Sequence, residues 1–420
     1  MIVLNIKEIL KILNCNKEAD FPINKIETNS KNIEKGDLFI AINKGHDYID
    51  EAILNGAVAV IVNNKKCYDC LTINVDNTIV ALGKIASYIR DLYDIPLIAV
   101  TGSCGKTTTK ELISLILSKK YNVLKNEKNY NNEIGLPLTL LNLNNNHDII
   151  VLEMGMNNRG EISYLSKLSK PNYGVITNIG TAHIGNLKGI RNIFKAKLEI
   201  LDGMKDGKLI VNKNDKRLKR LSSKKTIKVD DKTLKVKNIT FYFDKTEFDI
   251  ESTHFIFNIP GKSVLNDLFI AIKIGIMFNI SLEDIQEVVL NFKNLEGRLN
   301  IIKKNYTIID DSYNSNYESL VNSLSLLKDN NKYKIIVIGD MLELGKYSKK
   351  YHKKVNKILN KIDNKEVLLI GNYTKYIKGK HFNNLDEIIK YLKNKLDNDM
   401  ILYLKGSRAI NLDKIKTRFN

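Results

Sequence analysis

No stretch of the 420-residue chain approaches the run of about 18 apolar residues that a membrane-crossing helix needs. Cysteine is scarce: Cys15, Cys67, Cys70 and Cys104 are the only four, and only Cys67-Tyr-Asp-Cys70 has metal-like spacing. A zinc site built that way requires a second pair, which the chain lacks, so the four read as free thiols of a reducing compartment. The Gly-x-Gly-x-x-Gly of dinucleotide folds is missing, and NAD is therefore not expected. No tandem repeat occurs. Acidic residues are outnumbered, 47 Asp plus Glu against 66 Lys plus Arg, for a net charge of +19. The lysines are spread along the chain beside abundant Asn and Ile, and no basic motif interleaved with aromatics accompanies them. That distribution speaks against a nucleic-acid role. A positive field instead favours polyanionic small substrates such as ATP and nucleotide sugars.

What is present begins with Met1 to Leu13, where Lys7, Glu8 and Lys11 interrupt the apolar positions. The pattern predicts an amphipathic helix rather than a signal peptide, and a cytoplasmic location. The most specific feature is Thr101-Gly-Ser-Cys-Gly-Lys-Thr-Thr-Thr109. The apolar run Ile95 to Val100 reads as a buried strand entering it, and Lys110 to Leu117 as the helix leaving it. In that context backbone N–H groups of the glycine turn and helix N-terminus face phosphates, Lys106 reaches the outer phosphates and Thr107 binds Mg²⁺. The loop is compressed: Val100 stands where the common pattern has its first glycine, and Gly102 takes that part.

Length and alternation predict an α/β protein of three domains. Residues 1–93 carry strand-like runs at 37–42 and 57–62 punctuated by Gly36, Gly45 and Gly56, a small α/β domain. Residues 94–300 alternate strands near 148–153, 173–177 and 207–211 with helical stretches, a parallel-sheet phosphate-loop ATPase domain. Residues 301–420 repeat the alternation at 307–310, 334–339, 367–371 and 400–404, a Rossmann-like domain. The charged, weakly patterned stretch 213–245 is expected to be a solvated insertion.

Three further residues stand where open α/β sheets place chemistry, at strand exits. Glu153 closes an apolar strand and can serve Mg²⁺, which prefers oxygen ligands. His183 follows the strand-like run 174–180; taken alone, it reads as a structural histidine more readily than as a ligand. Lys197 lies in a helical stretch, where a single lysine is ordinarily a surface charge.

Taken together, the ordered series resembles the Mur ligases. It comprises Asn131-Asn-Glu-Ile-Gly-Leu-Pro, Glu153-Met-Gly-Met-Asn-Asn-Arg-Gly-Glu-Ile162, Thr177-Asn-Ile-Gly-Thr-Ala-His183 with Lys195-Ala-Lys-Leu-Glu199, Asp310-Asp-Ser-Tyr-Asn-Ser-Asn316, Gly339-Asp-Met-Leu-Glu-Leu-Gly345 and Leu404-Lys-Gly-Ser-Arg408. The resemblance runs from Thr28 to Arg408 and accounts for the compressed phosphate loop, which that family shares with folylpolyglutamate synthase. It implies an ATP-dependent ligase of peptidoglycan precursor synthesis, acting as a monomer on UDP-N-acetylmuramoyl-tripeptide and D-alanyl-D-alanine through an acyl phosphate.

By the same resemblance, Gly102, Ser103, Cys104, Gly105, Lys106, Thr107 and Thr108 bind ATP, with Asn266, Arg298 and Asp311 as further nucleotide contacts. Thr107, Glu153 and His183 hold Mg²⁺ together with Lys197, which matches a carbamylated lysine. Lys106, Glu153, His183 and Lys197 form the catalytic set. Ser30, in the uridine-side motif Thr28-Asn-Ser30, Asn132, Lys405, Ser407 and Arg408 are the substrate contacts implied. Two departures stand out. Gly261-Lys-Ser-Val-Leu-Asn266 replaces the family's Gly-x-His-Asn-x-x-Asn and reads as one residue shorter, and the loop between Ile42 and His46 is short. A folylpolyglutamate synthase, another Mur ligase or a non-catalytic nucleotide-binding regulator remain the alternatives.

Overall fold

The computed structural model describes residues 4–127 and 129–419. Its first helix, Ile6–Ile12, is shorter than the expected 1–13, because Leu4–Asn5 pairs antiparallel with Pro22–Ile23 and Asn5 caps the helix in a capping box with Glu8. Met1 to Val3 lie outside the described residues. Ile6, Ile9 and Leu10 face inward at helical spacing and are buried. A four-stranded parallel sheet follows, in the order Ile26–Glu27, Leu38–Ile40, Ala59–Val62, Leu71–Asn74. Helix Thr78–Asp91, capped by Asn77, leads out of it.

The second sheet has six strands, all parallel, ordered Thr226–Val229, Lys208–Asn212, Tyr173–Ile176, Leu97–Thr101, Ile149–Glu153, Val123–Lys125. Leu97–Thr101 is buried throughout, as a central strand with both faces covered must be. Its neighbours are the strands that end at Glu153 and just before Thr177, so three strand exits converge at one edge of the sheet. Helices Lys106–Leu117 and Lys262–Met277 pack on each other over one face.

The stretch 213–245 departs from the expected solvated insertion. It supplies the edge strand Thr226–Val229 and strand Val236–Phe241, the latter pairing with Thr246–Ile250 in a small antiparallel sheet. An edge strand needs few inward side chains, and Leu218, Val229 and Leu234 are buried. The lysines around them hid so sparse an apolar pattern.

The third sheet orders Asn300–Lys303, Thr307–Asp310, Ile401–Lys405, Lys334–Gly339, Lys365–Ile370, Lys380–Phe382, parallel except for the antiparallel first pair. Among the described residues no helix is long and apolar enough to cross a membrane.

Candidate active site

A cleft of about 910 Å³ opens where the strand exits of the second sheet meet the third domain. The phosphate loop forms its floor. Gly105 has φ 76° and precedes helix Lys106–Leu117, and a Cβ there would run into the Asp267 carboxyl, so only glycine fits. The next strand exit braces the loop. Asn178 accepts from Cys104 N at 2.9 Å through its side chain and from Ser103 N at 3.1 Å through its carbonyl, while Gly180 N donates to Ser103 Oγ at 2.8 Å. Arg298 donates to the Thr107 hydroxyl at 3.0 Å and lies 4.1 Å from the Tyr313 ring centre.

Glu153 is 3% exposed. One carboxylate oxygen accepts from Asn131 Nδ2 at 2.8 Å, while the other, Oε2, is buried with no partner among the described residues. A buried carboxylate oxygen without a donor is costly unless a cation or proton completes it. Lys197, on helix Ile190–Leu198, is 1% exposed, and among the described residues its side-chain nitrogen has only the Thr101 hydroxyl at 3.5 Å. Burial, reinforced by the neighbouring Lys106, pushes this amine well below the ordinary lysine range. Lys195, two residues earlier, is exposed.

His183 adopts a left-handed conformation, φ 59°, uncommon for a residue with a side chain. Burial first, then the charges of Lys106 and Lys197, push it down to about 3. The ring is therefore neutral at neutral pH. Its Nδ1 lies 3.2 Å from Glu343 of the third domain. With the proton on that nitrogen, Nε2 keeps a free lone pair, the arrangement a metal-ligating histidine uses. Lys405 meets Asp311 at 2.6 Å and the Asn314 carbonyl at 3.2 Å, and burial pushes the Asp311 carboxyl up.

Not every residue singled out from the sequence reaches the cleft. Ser103 to Thr108, Asn132, Glu153, His183, Arg298, Asp311 and Lys405 line it, while Lys197 is buried below it. Asn266 itself does not line the cleft: its side-chain oxygen accepts from Asn214 at 2.8 Å, and the next residue, Asp267, lines it. One residue is about 100° around a helix, which turns Asn266 away while Asp267 faces the cleft. Ser30 is also elsewhere, buried with its hydroxyl donating to Glu51 at 2.8 Å. Ser407 sits behind the cleft, accepting from Leu342 N at 2.9 Å, and exposed Arg408 stands 5.8 Å from the Tyr313 ring. The sequence reading did not assign Asn131, Asp267, Glu318 or Glu343. Asn131 and Glu343 lay inside runs already quoted, whereas Glu318 had no local signal.

The chain matches two family models, the Mur ligase middle domain over residues 100–275 and the Mur ligase glutamate ligase domain over 297–408. The UDP-N-acetylmuramoyl-tripeptide--D-alanyl-D-alanine ligase of Buchnera aphidicola subsp. Baizongia pistaciae is 38% identical to it, over 99% of this chain and 98% of that protein. Among solved structures, MurF from Acinetobacter baumannii superposes with a TM-score of 0.90 at 27% identity, covering 99% of each chain. MurF ligase from Thermotoga maritima in complex with ADP gives 0.85 at 28% identity, over 94% of this chain and 96% of that one.

Proposed function

The chain belongs to the Mur ligase family, and we propose that it is an ATP-dependent ligase joining D-alanyl-D-alanine to UDP-N-acetylmuramoyl-tripeptide in peptidoglycan precursor synthesis. One observation carries the chemistry. A phosphate loop, a buried carboxylate lacking a partner and a neutral histidine line one cleft between the second and third domains, beside a buried lysine whose charge burial disfavours. Similarity over the whole chain to ligases of that name carries the substrate assignment. Residues 1–93 take the UDP end of the substrate, 94–300 the nucleotide and 301–420 the acceptor.

The residues at the cleft fit Mg²⁺. Thr107 offers a hydroxyl, Glu153 its orphaned Oε2 and His183 its free Nε2. Among the described residues no three His, Cys, Asp or Glu side chains form a metal-holding group, so a further anionic oxygen is needed. Lys197 can supply it: burial makes loss of the ammonium proton easier, the deprotonated amine adds to CO₂, and loss of a second proton leaves a carbamate in place of a cation. Bound Mg²⁺ neutralises charge on the transferring phosphoryl oxygens.

The chain's own groups do the rest. Lys106 and the loop N–H groups hold the triphosphate in line with the substrate carboxylate. That carboxylate attacks the γ-phosphorus, ADP leaves and an acyl phosphate forms. The dipeptide amine then adds to the acyl carbon, and the tetrahedral intermediate expels phosphate as the nitrogen loses a proton. Arg298, stacked on Tyr313 at the entry to the third domain, keeps the phosphate loop and that domain together during transfer.

The test is phosphate release from ATP with UDP-N-acetylmuramoyl-tripeptide, with and without D-alanyl-D-alanine. Dependence on both substrates is expected. Equal turnover with a folate and glutamate would overturn the assignment.

A further inference from the structure

Glu318 stands in the first turn of helix Tyr317–Ser325 in the third domain, yet its carboxylate is engaged with the second. Oε2 accepts from the main-chain N–H of Thr181 at 2.7 Å and from the Thr181 hydroxyl at 2.6 Å. Gly180 packs on the same carboxylate so closely that a Cβ would stand 2.8 Å from Oε2. Thr181 is fully buried beneath it. Two residues earlier, Asn316 caps the helix and reaches the phosphate loop, with its amide nitrogen 3.1 Å from Cys104 Sγ.

One helix turn therefore grips two things at once: the phosphate loop, and the turn that ends two residues before His183. Bonds to an ionised carboxylate are the strong kind, and one oxygen accepting from a main-chain and a side-chain donor fixes the position and the orientation of that turn. From the opposite side Glu343 holds the His183 ring, and the backbones of Gly185 and Gly345 meet without room for a side chain on either. The left-handed backbone of His183 is thus set between two carboxylates of another domain.

We propose that Glu318 is a positioning residue that latches the third domain onto the second and, through Thr181, sets the place of His183 for the transfer step. It is not among the residues that line the cleft. The second half of this inference rests on the reading of His183 as a metal ligand; the first half does not.

The experiment uses the full-length enzyme and its Glu318→Ala, Glu318→Gln and Thr181→Val variants, with two independent readouts. The first is alkylation of Cys104 by iodoacetamide without nucleotide, followed by peptide mass spectrometry, with exposed Cys67 as internal reference. Cys104 is packed against Asn316, and burial pushes its thiol up to about 11. Opening the latch relieves that burial. The second readout is kcat and KM for ATP and for the UDP-linked peptide.

For Glu318→Ala, labelling of Cys104 rises several-fold with Cys67 unchanged, and kcat falls about tenfold, the scale of losing charge-assisted hydrogen bonds. Both KM values move less than kcat. Glu318→Gln and Thr181→Val, each keeping part of the pairing, fall in between. Wild-type labelling of Cys104 in Glu318→Ala overturns the latch. Faster labelling with unchanged kcat overturns the positioning of His183. Should the wild-type enzyme show no phosphate release dependent on the dipeptide, the functional reading fails while the labelling result still decides the latch. If Glu318→Ala does not fold, Glu318→Gln and Thr181→Val decide both points.

Discussion

The guanidinium of Arg298 donates to the hydroxyl of Thr107 at 3.0 Å, so the segment entering the third domain holds the residue that follows the phosphate-loop lysine. A hydroxyl has two acceptor lone pairs, and this bond leaves one for a cation. Arg298 thus joins the phosphate loop to the third domain beside the contact that Asn316 makes with Cys104.

Lys106 lines the cleft and is not part of a buried cluster. Lys106→Ala is expected to lower kcat/KM by about 10²-fold or more, as removal of one charge-stabilising donor does, with little change in melting temperature. Near wild-type turnover at saturating ATP would exclude the phosphate-loop role.

Lys197 and Lys195 provide a matched pair on one helix. Lys197 is buried with its charge disfavoured, while Lys195 is exposed, because positions two apart point to different faces. Lys197→Ala should lose activity, and a short carboxylate such as acetate should restore part of it by supplying an anionic oxygen. Lys195→Ala should be nearly silent. A fully active Lys197→Ala enzyme counts against the carbamate.

His183 gives a pH dependence of defined sign. Its folded value is lowered from 6.5 to about 3, by burial first, so between those limits the unfolded chain binds more protons than the folded one. Stability then rises with pH across that window and is lost as pH falls from 6.5 toward 3. Chemical denaturation of wild type and His183→Gln at pH 5 and 7.5 checks this: the variant should lose less stability on acidification. An equal loss in both proteins would show that His183 is not the group responsible.

Gly105 combines a left-handed φ with a carboxyl packed on its α-carbon. Gly105→Ala should weaken ATP binding by about tenfold or more, since a left-handed conformation and a clash are imposed together. Isothermal titration with ATP measures it. By contrast Gly160, also left-handed but with open space around it, should tolerate alanine with smaller loss.

Much of the architecture was legible in the chain itself. The strand cores 149–152 and 335–338 are continuous apolar runs because parallel strands covered on both faces must be. Gly105 and Lys106 announce their chemistry because a phosphate cradle needs a residue without Cβ followed by a charge at a helix start. Stretch 213–245 was misread for the complementary reason: an edge strand buries so little that its lysines mask it.

The site was legible only where function and sequence run coincide. Asn266 and Asp267 are neighbours in the chain, and which of them faces the cleft is a matter of helix rotation, settled when helix Lys262–Met277 packs on helix Lys106–Leu117. Glu318 and Thr181 lie 137 residues apart, and no local pattern records a bond between domains. The disfavoured charge of Lys197 has the same origin. Sequence determines that a lysine is there, but only the surrounding fold, by excluding water and placing Lys106 nearby, disfavours its charge.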